Sequence, residues 1–308
     1  MNGRPSGLFV PITTPFDAQT GEVAPVALRE NARAVLEAGV TGIVAAGSTG
    51  EAALLSEQEY HQVIGWLRDV VPDDRWLLAG AGKESTRATI AACGAAADEG
   101  ADAVLVRPPA YYGPSLPPQA LVDHFRRVAD ESPLPVLLYN IPKYTHLTLP
   151  DTLFAALADH QNIAGAKDSS GDLKLFAAYR AAAPKWAMIV GSGSRYYAAL
   201  ELGAVGGILA VACYAAAIAM RVGQAFSAGD RAAAGATQEI LTPLNKEVVE
   251  KFGVPGVKAA MDAAGLVGGP VRAPLMDLAE ADRARIAAVV SQGLGAAGVG
   301  AVARARRN

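Results

Sequence analysis

Cysteine is scarce in this chain: Cys93 and Cys213 are the only two among 308 residues, far apart and without CxxC spacing. That argues against a disulfide framework or a zinc site, and it suits a reducing cytoplasm. Charge of one sign is scarce as well. The formal balance is −3 with acidic and basic residues interspersed, so nothing electrostatic calls for nucleic acid. The C-terminal Ala-Arg-Ala-Arg-Arg-Asn reads as a solvated tail. No apolar run reaches the roughly 18 residues that suggest a membrane span; the Ala-rich stretch Ile208–Met220 is too short. The opening MNGRPSGLFVPITTPF lacks the basic start and long apolar core of a signal peptide. Four histidines are dispersed along the chain, and no His/Asp/Glu cluster suggests a metal. These absences predict a soluble, cytoplasmic protein, with no nucleic acid, membrane or metal expected.

What the chain does have is apolar material, 51% of its residues. Short β-branched runs recur at Leu8–Ile12, Gly42–Ala46, Trp76–Ala79, Ala103–Val106, Val136–Tyr139, Ile163–Ala166, Ala187–Val190 and Val205–Ala210. Between them lie stretches of helical periodicity, at the pitch of a βα unit. Eight such units, with runs that read as buried on both faces, predict a closed (β/α)₈ TIM barrel over residues 1–225. Beyond it, Ala232–Glu250, Pro255–Ala264 and Ala279–Ala297 carry helical patterns without strand signals. They predict a helical extension over 226–308.

In such barrels the site forms at the C-terminal ends of the strands. There the sixth run, IAGAKDSSGD, delivers Lys167 directly behind Ile163, Ala164, Gly165 and Ala166. Most lysines are solvated charges, but one emerging from a buried strand sits where water is scarce, and a lysine of that kind can form a Schiff base with a carbonyl. The fifth run ends in Tyr139, 28 residues earlier. On adjacent strands the two lie about 5 Å apart, and their parity turns both side chains into the same barrel mouth. A phenol beside a buried amine can shuttle protons during carbinolamine formation and carbon–carbon cleavage. The second run ends in Gly47-Ser48-Thr49-Gly50-Glu51, which reads equally as a capped turn or as a cradle for a carboxylate. It lacks P-loop spacing. Tyr111 and Tyr112 occupy a proline-constrained loop after the fourth run. His61, His124 and His160 fall in or near helical segments, leaving His146 as the histidine nearest the predicted mouth.

GSTGE at 47–51, YNIP at 139–142 and GAKDSSGD at 165–172 together resemble the family of pyruvate-handling class I aldolases and lyases that includes dihydrodipicolinate synthase and N-acetylneuraminate lyase. The motifs fall in that family's order and spacing, and the resemblance covers nearly the whole chain. It implies Lys167 as the Schiff-base lysine, Tyr139 as the proton-shuttling tyrosine, and Ser48 and Thr49 as holders of the pyruvyl carboxylate, with Ser48 also in the tyrosine relay. By the same resemblance Ile208 turns its backbone carbonyl to bound pyruvate, and Tyr112 reaches in from a neighbouring subunit of a dimer-of-dimers homotetramer. The loop RPPAYY is one residue longer than the family's TPxYY, which keeps Tyr111 as an alternative. No external cofactor is implied.

The second substrate depends on other positions. Dihydrodipicolinate synthases resembling this chain place an arginine where Tyr144 stands, and a phenol cannot reproduce a bidentate guanidinium clamp. Neuraminate lyases place an acidic pair where this chain has Gly193-Ser194. The segments LLAGAGKESTRATI, FGVPGVKAAMD and GGPVRAPL resemble the 4-hydroxy-2-oxoglutarate aldolase branch, which implies substrate contact for Ser169 and usually shows asparagine at the position of Thr49. The expected activity is therefore cleavage of a 2-oxo acid such as 4-hydroxy-2-oxoglutarate to pyruvate and an aldehyde, or the reverse. Alternatives are the synthase, anchored through Lys143 or a basic residue from a distant loop; a sugar-acid lyase; and a non-catalytic ligand sensor, which has no need of Lys167 and Tyr139 together.

Overall fold

Alternation of short apolar strands with helices closes on itself in the computed structural model, which describes residues 3–300. The strands β1 (Gly7–Pro11), β2 (Gly42–Ala45), β3 (Trp76–Gly80), β4 (Ala103–Val106), β5 (Val136–Asn140), β6 (Ile163–Asp168), β7 (Ala187–Val190) and β8 (Gly206–Ile208) form a closed barrel in sequence order. All pair in parallel, and β8 returns to β1 with Ile208 opposite Phe9. The chain thus has the expected (β/α)₈ fold. Met1, Asn2 and the arginine-bearing tail at 301–308 lie outside the described residues.

Period-two alternation splits each strand between two cores. Phe9, Val44, Leu78, Leu105, Leu137, Ile189 and Ile208 face inward and fill the barrel. Their neighbours Leu8, Val10, Ile43, Leu77, Val104 and Leu138 face outward, into a larger cluster beneath the helices.

The helical layer comprises α1 (Pro25–Glu37), α2 (Glu57–Arg68), α3 (Thr86–Asp98), α4 (Pro118–Glu131), α5 (Pro142–Thr145), α6 (Asp151–Leu157), α7 (Leu173–Ala182), α8 (Tyr196–Glu201), α9 (Ala212–Ser227), α10 (Arg231–Leu244), α11 (Lys251–Ala263) and α12 (Glu280–Ala296). Helix α2 starts at a reciprocal cap, in which Ser56 Oγ accepts from the Glu59 amide and Glu59 Oε2 accepts from the Ser56 amide. Ser85 and Asp172 cap α3 and α7 in the simpler way. Helix α9 is poorly announced by periodicity because it is buried on most sides, through Ala212, Cys213, Tyr214, Ala216, Ile218, Ala219 and Val222. Among the described residues no helix is long and apolar enough to cross a membrane.

The C-terminal helices share the outer core: Leu241, Leu244, Val257, Ile286, Val290 and Leu294 join the same cluster as the barrel's outward side chains. Between α10 and α11 the chain widens into a π-helical segment, Asn245–Glu250, a form concentrated at functional sites. Gly253 then takes φ 61° and ψ −141°, kinking the backbone inside α11. An L side chain would be strained there.

Candidate active site

Strand β6 runs further than its apolar run suggests. Lys167 and Asp168 are strand residues, paired with Tyr139 and Asn140 of β5. What carries the strand on is polar. Asn140 Nδ2 donates to Asp168 Oδ1 at 2.7 Å, and the Ser170 amide and hydroxyl donate to the same carboxylate at 3.1 and 2.8 Å. Burial pushes the Asp168 carboxyl above its usual range, and these hydrogen bonds pull it part of the way back. Asp168 points away from the barrel axis, and Lys167 points into it.

Lys167 is only 5% exposed, as is Tyr139. Lys167 Nζ donates to Tyr139 Oη at 3.2 Å and lies 4.3 Å from the centre of the phenol ring. Both line a cavity of about 510 Å³ at the barrel mouth, together with Ser48, Thr49, Tyr144, Ser169 and Ile208. Seven of the eight sequence-predicted residues therefore meet in one cavity. Tyr112 does not line it. Tyr112 and Tyr111 are 69% and 79% exposed and stack edge to face at 4.8 Å, on a loop stapled by Glu84, whose Oε2 accepts from the Ala110 and Tyr111 amides. His146 lines neither this cavity nor its neighbour.

Glycine shapes the wall beside the amine. A Cβ on Gly191 would overlap Ser169 Oγ and come within 2.9 Å of Lys167 Cε. Its amide donates to the Asp168 carbonyl at 2.6 Å, so backbone, not side chain, borders the lysine on the β7 side. A second cavity of about 630 Å³ adjoins the first, sharing Ser48, Tyr139, Lys143, Tyr144, Gly253 and Val254 and extending to Lys83, Arg107 and Leu275.

The sequence does not single out several residues that the fold brings here. Asn245 and Glu250 arrive from the π-helical segment, and Gly191, Ser192 and Arg195 from the end of β7. Asn245 Nδ2 and Ser194 Oγ both donate to Glu250 Oε1, at 2.9 and 2.7 Å. An acidic group thus stands beside Gly193-Ser194, supplied by a distant element, and only tertiary structure reveals it. Among the described residues no group of three or more His, Cys, Asp or Glu is placed to hold a metal ion.

A (β/α)₈ barrel with its polar cavity at the C-terminal mouth defines the broad class, a barrel enzyme whose chemistry is set by strand ends and loops. The chain belongs to the dihydrodipicolinate synthetase family, whose sequence pattern it matches over residues 4–293, and it is a lyase of that family. It is 36% identical over 282 residues to an uncharacterized DapA-like lyase of Halobacterium salinarum, covering 92% of each chain. It is 33% identical over 276 residues to a 4-hydroxy-tetrahydrodipicolinate synthase of Methanopyrus kandleri, covering 89% of this chain and 91% of that one. The fold superimposes with a TM-score of 0.88 on the chloride-inhibited dihydrodipicolinate synthase of Acinetobacter baumannii in complex with pyruvate, at 32% identity over 96% of this chain and 99% of that one.

Proposed function

We propose that the protein is a Schiff-base aldolase that cleaves a 2-oxo acid such as 4-hydroxy-2-oxoglutarate to pyruvate and an aldehyde, and catalyses the reverse condensation. The observation that carries this reading is the 3.2 Å contact between Lys167 Nζ and Tyr139 Oη inside a cavity that also presents Ser48 and Thr49.

In this mechanism the Lys167 amine attacks the C2 ketone and water leaves, giving an iminium. The hydroxyl on C4 passes its proton to Tyr139, with Ser48 in the relay. Electrons of the C3–C4 bond move into the iminium as the aldehyde departs, leaving an enamine. Protonation at C3 and hydrolysis then return pyruvate and the free lysine. Ser48 and Thr49 hold the C1 carboxylate, with the Ile208 carbonyl opposite and Ser169 beside the lysine. No external cofactor takes part. Proton transfer from a positioned group contributes on the order of 10²–10⁴-fold; orientation and the iminium supply the remainder.

A cytoplasmic homotetramer is part of the same reading, with Tyr112 completing the site of a neighbouring copy; its 69% exposure leaves it available for that. The synthase reading draws support from relatives that carry that name. Against it stands Tyr144, a neutral side chain where a carboxylate anchor is needed. Treatment with pyruvate and borohydride followed by peptide mass spectrometry is expected to place a reduced pyruvyl adduct on Lys167. An unmodified Lys167 would sink the proposal.

A further inference from the structure

Three cationic side chains line the cavity: Lys143, Lys167 and Arg195. Two are engaged. Lys167 meets Tyr139, while Lys143 Nζ donates to the Glu250 carbonyl at 3.3 Å and lies 5.7 Å from the centre of the Tyr144 ring. The Arg195 guanidinium is in none of the ion pairs or side-chain hydrogen bonds found among the described residues. The acidic side chain in the lining, Glu250, is already held through Oε1 by Ser194 and Asn245.

The backbone beneath Arg195 is fixed. It ends the short 3₁₀ turn Gly193–Arg195, which Gln238 brackets by donating to the Gly193 carbonyl at 2.9 Å and accepting from the Tyr197 amide at 3.0 Å. Arg195 as a residue is exposed. Also in the lining are Ser169, Ser170 and Ser192, which offer hydroxyls, and Gly191, which adds no bulk. A free guanidinium on a fixed turn, in the same cavity as a buried amine, is the arrangement that selects a planar anion at the far end of a ligand.

Building on the aldolase reading, we propose that Arg195 binds a carboxylate on the fragment released as aldehyde. The preferred substrates are then 2-oxo diacids, with one carboxylate at the Ser48–Thr49 cradle and the other at Arg195. Selectivity for that second charge comes from the turn that follows β7, not from the Tyr144 position.

The test compares cleavage of 4-hydroxy-2-oxoglutarate with that of 4-hydroxy-2-oxopentanoate, which ends in a methyl group, in the wild type, Arg195→Gln, Arg195→Lys and Lys143→Gln. The ratio of kcat/KM for diacid over monoacid is expected to fall on the order of 10- to 100-fold in Arg195→Gln, to recover in part in Arg195→Lys, and to change little in Lys143→Gln. An unchanged ratio in Arg195→Gln, or a fall confined to Lys143→Gln, overturns the assignment. Wild-type trapping with pyruvate and borohydride separates the two claims. A trapped enzyme with an unchanged ratio removes only the Arg195 site, and an enzyme that pyruvate does not trap removes the aldolase reading along with it.

Discussion

Two lysines are buried among the described residues, and their surroundings are opposite. Lys258, on α11, is 1% exposed, with Nζ 2.5 Å from Glu51 Oε1, donating to the Pro270 carbonyl at 2.7 Å and lying 4.4 Å from the centre of the Phe16 ring. Burial pushes its amine down from the usual range, and Glu51 pushes back. Lys167 is 5% exposed, faces a phenol and an open cavity, and has no carboxylate partner among the described residues. Burial therefore does not mark a reactive lysine. A charge partner turns a buried amine into a bolt; a cavity and a proton-transfer group make it available for chemistry.

The two regions are linked. Glu51 closes the GSTGE loop, and its Oε2 accepts from the Arg272 amide at 2.9 Å, while the Arg272 guanidinium forks onto Glu59 at 2.6 and 2.7 Å. The C-terminal segment thus clasps the loop that carries Ser48 and Thr49 to the cavity.

Replacing each lysine by methionine, which keeps most of the volume, tests the contrast most severely. Lys167→Met is expected to lose all measurable turnover while keeping its thermal midpoint, because no opposite charge is left stranded. Retained activity, or a collapse in stability, would erase the distinction. Tyr139→Phe should keep pyruvate binding but lower kcat by roughly 10²–10⁴-fold. A loss confined to KM would instead make Tyr139 a packing residue.

The barrel and its lysine–tyrosine pair were legible because both follow from short-range rules. Strand runs alternate with period two, and 28 residues is one βα unit, so parity alone puts Lys167 and Tyr139 in one mouth. The bulge between Val136 and Leu137 in the β5–β6 pairing did not disturb this, because it lies before Leu137 and leaves Tyr139 opposite Lys167. Arg195, Asn245 and Glu250 were not legible, since their proximity depends on how the C-terminal helices dock onto the β7 loop. Glu51 read as part of a loop motif. Only its pairing with Lys258, 207 residues further along, shows that its carboxylate is held by α11.

Lys258→Met should act on the clasp as Lys167→Met acts on the mouth, with the readouts exchanged. Glu51 would be left buried and unpaired, a loss of roughly 3–5 kcal/mol and a fall in midpoint on the order of 10 °C. Activity per folded molecule should survive in part. Glu51→Gln combined with Lys258→Met is expected to recover much of the stability, because no charge then remains stranded.

The mildest separation of the two regions uses acid. Arg272 holds the Glu59 carboxyl at about 2, well below the usual 4.5, against the opposing effect of burial and with help from the Ser56 amide. A depressed carboxyl contributes stability that is fully present above its unfolded value and drains away as pH falls through the folded one. The clasp should therefore loosen between about pH 4.5 and 2. At the mouth the sign reverses: Asp168 is raised above its usual 3.8 by burial, so acid relieves it. Hydrogen exchange at falling pH is expected to deprotect the amides of Arg272 and the residues around Glu51 before those of β5 and β6. Arg272→Met should flatten the dependence of the midpoint over the same window. Simultaneous deprotection of both regions would mean that clasp and mouth open as one unit, and that the two buried lysines share one stability after all.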